Sequence, residues 1–91
     1  MTEPQPLTFT VFSTPHCQKC RATKQRLLRN NAPIIEETIT PELADELRAK
    51  GITVAPYVQV HDASGDLLDE WGDLRLEKIA YWVGVLNGRS A

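Results

Sequence analysis

The stretch STPHCQKCRATKQRLL, Ser13 to Leu28, sets two cysteines three positions apart directly ahead of an amphipathic helical pattern. Pro15 closes the extended run before it, and Ala22, Leu27 and Leu28, with Lys24, Arg26 and Arg29 between them, give the predicted helix one apolar and one solvated face. On the N-terminal side, Leu7 to Phe12 (LTFTVF) reads as a β-strand. On the C-terminal side, Asn30 to Pro33 (NNAP) stops the helix and Ile34 to Ile39 supplies a second strand. The unit is strand, Cys-x-x-Cys, helix, strand, which implies a right-handed parallel crossover.

The pattern continues outward. Thr40 is a natural N-cap, Pro41 suits the first helical position, Leu43, Ala44 and Leu47 share a face, and Gly51 is placed to end that helix. Ile52 to Val60 contains a third strand, the turn Asp62 to Asp66 (DASGD) follows, and Leu67 to Trp71 supplies a partner strand, so the two form a hairpin. From about Leu74, the residues Leu76, Ile79, Trp82, Val83 and Leu86 recur at helical spacing until Asn87-Gly88, with Trp82 assigned to the core. The order β-α-β-α-β-β-α predicts an α/β fold: a mixed four-stranded sheet with three helices, in one domain spanning residues 1–91 with about six frayed residues at its start.

Composition narrows the function. Ninety-one residues, 42% of them hydrophobic, suffice for one small core. The net charge of −2, from 10 basic and 12 acidic residues, offers no cationic field for nucleic acid or an anionic membrane. MTEPQPLT lacks the basic and apolar regions of a signal peptide, and no run approaches the roughly 18 apolar residues of a membrane span. The expectation is a soluble, cytoplasmic monomer. In that compartment a cysteine pair more often binds metal or performs redox chemistry than serves as a structural bridge.

Cys17 and Cys20 fit three chemistries unequally. Zinc needs four ligands, and beyond this pair the chain has only His16, adjoining Cys17, and His61, at a strand end; no metal site is expected. A structural bridge would close a very small loop, the case in which a disulfide stabilises least. Redox exchange suits the pair, because unpaired N–H groups and the dipole at a helix N-terminus favour a thiolate over a thiol that otherwise titrates near ~8.5. Cys17 is then the nucleophile. Cys20, one turn inward and more buried, resolves the mixed disulfide. Gln18 and Lys19 lie between them, and Lys19 and His16 either add positive charge beside the thiolate or simply face solvent.

These residues, with Thr53 to Pro56 (TVAP) and the terminal helix, resemble the glutaredoxin branch of the thioredoxin superfamily over nearly the whole chain, and within it the NrdH-redoxins. Trp71-Gly72-Asp73-Leu74-Arg75 is similar to the W-S-G-F-R segment common in that family, keeping the tryptophan and arginine but not the three residues between. The resemblance implies a thioredoxin/glutaredoxin-like fold, Cys17 and Cys20 as the catalytic pair, and a cis Pro56 facing the disulfide, so that Ala55-Pro56 forms an edge for an extended substrate. It makes Pro15, His16, Gln18, Lys19, Val54, Ala55, Pro56, Trp71 and Arg75 candidate partner contacts. Trp71 divides evenly between packing and reductase recognition, and Arg75 is expected to pair with Asp73 or Glu70.

The implied activity is reduction of protein disulfides, with class Ib ribonucleotide reductase as favoured substrate and thioredoxin reductase, drawing on NADPH, as electron donor. No bound cofactor is implied. A glutathione-dependent glutaredoxin is the alternative, but the chain has no Gly-Gly of the kind that, followed by an acidic pair, captures glutathione; the corresponding region contains Trp71, Leu74 and Arg75, and no basic residue lies between Leu7 and Thr14. A further alternative is a binding module that holds an iron–sulfur cluster between two copies, against which the resolving Cys20 and the missing glutathione residues both argue.

Overall fold

A computed structural model describes residues 5–88; residues 1–4 of the expected frayed start lie outside the described residues. Seven elements follow in the expected order: β1 (Leu7–Ser13), α1 (Gln18–Arg29), β2 (Ile34–Thr38), α2 (Pro41–Ala49), β3 (Tyr57–Asp62), β4 (Leu67–Gly72) and α3 (Leu76–Leu86). The sheet order is β2-β1-β3-β4. β1 pairs parallel with β2 and antiparallel with β3, and β3 pairs antiparallel with β4.

Alternation along β1 and β3 separates the two faces. Phe9 opposes Val60 and Val11 opposes Val58, all fully buried against Leu27 of α1 and Ile79 and Val83 of α3. Each such side chain contributes ~1.5–3 kcal/mol of burial, so a one-residue slip, which would send this whole set outward, is heavily disfavoured. The opposite face carries Phe12 and Tyr57, rings 5.2 Å apart, and Ala44 and Leu47 of α2 border a cleft there with Tyr57. Leu47 of α2 is buried, and Lys50 just past α2 reaches Glu70 of β4 at 3.0 Å. Thr40 caps α2 as expected, its hydroxyl accepting the Leu43 N–H at 3.1 Å.

Two expectations, for Leu28 and Leu76, are corrected. Leu28 does not join the buried face of α1: Cys20, Thr23 and Leu27 form that stripe, and Leu28, a further 100° around the helix, is 57% exposed. The third strand begins at Tyr57, within the Ile52–Val60 stretch expected to contain it, because Pro56 has no N–H for a ladder and Ile52 to Ala55 form a loop before it. Leu76, the first residue of α3, borders a shallow cleft between α1 and α3 and is 48% exposed. Trp82 packs at the margin of the core, partly buried, and its indole N–H donates to the Asp69 carboxylate at 3.0 Å.

Candidate active site

β1 ends at Ser13 and the chain turns through Thr14, Pro15 and His16 before α1. His16 makes the turn at φ 57°, left-handed, a region in which histidine is enriched among non-glycine residues, and it is exposed. Cys17 is thereby left as the N-cap of α1 in an extended conformation, and its sulfur accepts the Cys20 N–H at 3.1 Å. An N-cap ordinarily offers a side-chain oxygen to one of the orphaned first-turn N–H groups. Here sulfur takes that place. Cys17 is partly exposed, Cys20 is 1% exposed, and the two are joined as a disulfide with Cα atoms 5.2 Å apart.

The helix keeps its positive end clear. α1 has no acidic residue in its first turn and carries Arg26 and Arg29 in its last. Unpaired N–H groups and the helix dipole make this end of α1 a favourable place for negative charge. Pro15, Gln18 and Lys19 are all exposed around it. Lys19, however, is neither simply solvated nor free for the thiolate. Its ammonium lies 2.8 Å from the Asp73 carboxylate, and that ammonium, with the Leu74 N–H, holds Asp73 below the ordinary carboxylate range.

The register brings the second part of the site alongside. Phe12 pairs with Tyr57, so the exit of β1 neighbours the entrance of β3, where Ala55–Pro56 is cis and Pro56 is buried. Thr14 of the turn and Val54 and Ala55 line one cleft of about 170 Å³ with Ile39, Leu47 and Tyr57. Val54 is 41% exposed. The Asp73 N–H donates to both the Val54 and Pro56 carbonyls, at 2.9 and 3.0 Å, while Ala55 makes no backbone hydrogen bond among the described residues. Ala55 itself is half-buried, and a free backbone N–H and C=O are what strand addition uses.

Trp71 and Arg75 stand differently from the rest. Trp71 is 3% exposed within the main core, with the Lys78 ammonium 5.8 Å from its ring, so its indole packs inside the fold. Arg75 is exposed at the N-cap position of α3 and pairs with Glu77, not with Asp73 or Glu70. Those two acids are already engaged, Asp73 by Lys19 and Glu70 by Lys50 and the Tyr57 hydroxyl. Two residues at the site escape the sequence reading: Asp73, as the junction between Lys19 and the Val54–Pro56 edge, and Gly72. A Cβ on Gly72 would lie 2.6 Å from Ile52 Cγ2 and 3.0 Å from the Val54 carbonyl oxygen. The signal was present in the departures from W-S-G-F-R. Glycine at 72 gives β4 the close approach that a serine side chain would obstruct, and Asp73 holds φ 76° where the W-S-G-F-R pattern has glycine, a conformation aspartate tolerates.

The same architecture occurs in solved structures. NrdH-redoxin from Escherichia coli, a glutaredoxin-like protein with a thioredoxin-like activity profile, is similar at a TM-score of 0.65 and 26% identity, over 81% of this chain and 92% of that one. Thioredoxin f from spinach chloroplast is similar at 0.64 and 12% identity, over 91% and 78% of the two chains. Trichomonas vaginalis thioredoxin gives 0.60 and 20%, over 85% and 76%. This chain has the thioredoxin-like fold. The two thioredoxins speak for that fold alone; the likeness to NrdH-redoxin, with Cys17 and Cys20 paired at the α1 N-terminus, makes the chain a thiol–disulfide oxidoreductase. No protein-family model matches the sequence, and no curated protein matches it. No helix among the described residues of this thioredoxin-like chain is long and apolar enough to cross a membrane.

Proposed function

We propose that this chain is a small NrdH-type dithiol donor: Cys17 reduces protein disulfides, and a thioredoxin reductase drawing on NADPH restores the dithiol. The observation that carries the reading is the partly exposed Cys17 sulfur at the α1 N-cap, accepting the Cys20 N–H. An extended substrate pairs with Ala55, and the Cys17 thiolate attacks one sulfur of its disulfide. That S–S bond breaks, a mixed disulfide forms, and the departing thiolate takes a proton from solvent. Cys20 then loses its proton and attacks the Cys17 sulfur, releasing the second substrate thiolate and closing Cys17–Cys20.

The favoured substrate is the active-site disulfide of a class Ib ribonucleotide reductase, supported by the likeness to NrdH-redoxin. The donor works as a cytoplasmic monomer with no bound cofactor; electrons reach it from NADPH through the separate reductase. The absence of Gly-Gly before α3, where Trp71, Leu74 and Arg75 stand, supports that reductase over glutathione.

The deciding experiment follows NADPH consumption during disulfide reduction, once with thioredoxin reductase and once with glutathione and glutathione reductase. Turnover with thioredoxin reductase is expected, and ribonucleotide reductase is then the substrate to assay. Turnover with glutathione alone would make the protein a glutaredoxin. Colour retained after anaerobic purification would point to a cluster-binding module instead.

A further inference from the structure

The Lys19–Asp73 pair joins two parts of the site that sequence places far apart. Lys19 is the second residue between the cysteines, on the first turn of α1, and Asp73 lies between β4 and α3. Asp73 is fixed from several sides. Its N–H bonds the Val54 and Pro56 carbonyls, and its carboxylate accepts the Leu74 N–H at 2.7 Å and the Lys19 ammonium at 2.8 Å. The neighbouring cation Arg75 is engaged by Glu77. Lys19 is therefore the one cation between the cysteines, and it is turned toward an acid on another element.

We propose that Asp73 is a positioning residue for disulfide exchange: it withholds the Lys19 charge from the Cys17 sulfur, keeping the couple more reducing than Cys-Gln-Lys-Cys at a helix terminus would otherwise be, and it ties that turn to the Val54–Pro56 edge. The inference rests on the exchange chemistry proposed for this site. When an external dithiol reduces the protein, the Cys17–Cys20 bond breaks as the dithiol closes to a disulfide. Two electrons pass to the protein, Cys17 remains as thiolate, Cys20 as thiol, and one proton leaves to solvent. The new negative charge on Cys17 is the quantity that Lys19 and Asp73 affect with opposite sign.

Asp73→Asn is the informative variant, because asparagine tolerates the left-handed backbone at φ 76° and keeps the N–H bonds to Val54 and Pro56. Equilibration of each variant with glutathione at fixed pH reads the thiol–disulfide equilibrium directly and needs no reductase. Asp73→Asn should shift that equilibrium about threefold toward the dithiol, the scale of an exposed ion pair, and Lys19→Met should shift it in the opposite direction. The double variant should fall between the two. Shifts in the same direction, or none in either, would overturn the proposal and leave the pair a structural tether only. Failure of the exchange reading itself would be distinct: the wild-type protein would then show no reversible dithiol couple.

Discussion

At the residue scale, the two cysteines have the same functional group and different surroundings, and their roles follow from that difference. Cys17 is partly exposed and caps α1; Cys20 is 1% exposed inside the helix. Cys17→Ser removes the partly exposed thiol and leaves only the buried Cys20 thiol, so turnover in the reductase-coupled assay should fall to background. Cys20→Ser leaves the attacking thiolate and removes its escape route. One round of attack should then trap a mixed disulfide, visible as a mass shift that a reductant reverses. The opposite pattern, trapping by Cys17→Ser, would invert the roles. The cysteine roles could be argued from sequence because they depend on local backbone geometry alone. The fate of Lys19 could not, because its partner Asp73 is reached only through the tertiary fold.

At the element scale, periodicity reveals which segments are helix or strand, and packing decides where they begin and which faces are covered. All seven elements were legible in their order, since Val11, Val58 and Val60 alternate and Leu27, Ile79 and Val83 recur as sequence patterns. Leu28 and Leu76 were misplaced because an apolar residue beside a buried stripe is indistinguishable in sequence from one on it. The sequence marks a strand somewhere within Ile52 to Val60, and Pro56 and the packing of the loop against Gly72 decide that Ile52 to Ala55 stay outside it. That contact gives a prediction. Gly72→Ala sets a methyl against Ile52 and the Val54 carbonyl, so Ile52 must move or the loop must lift. Denaturant unfolding should show a loss of ~1–3 kcal/mol, the usual cost of overpacking. The KM for a protein disulfide should rise as well, because the displaced loop carries the Val54–Pro56 edge. An unchanged KM with lowered stability would mean the edge does not bind substrate.

At the scale of the whole molecule, the hairpin and α3 are joined by a polar cluster centred on Asp69. Its carboxylate accepts from the Glu70 N–H and the Trp82 indole N–H, and from the Lys78 ammonium at 2.9 Å. Burial alone would raise the Asp69 pKa, but the Trp82 and Lys78 bonds together outweigh it and the pKa is lowered. Glu70, bonded by Lys50 and Tyr57, is lowered too. A carboxylate depressed in the folded state stabilises the fold above its unfolded pKa of ~4 and loses that contribution as pH falls through the folded value, because the unfolded chain binds the proton first. Stability should therefore decline on acidification below about pH 4. Asp69→Asn removes the charge that Lys78 and Trp82 hold, costing about 1 kcal/mol at neutral pH, the scale of a partly exposed charged hydrogen bond. The difference between variant and wild type should shrink through the acid limb and vanish once Asp69 is protonated in both states of the wild-type protein. Urea unfolding at several pH values would measure it. A difference that persisted undiminished in acid would assign the Asp69 contribution to packing of Trp82 against the core instead of to charge.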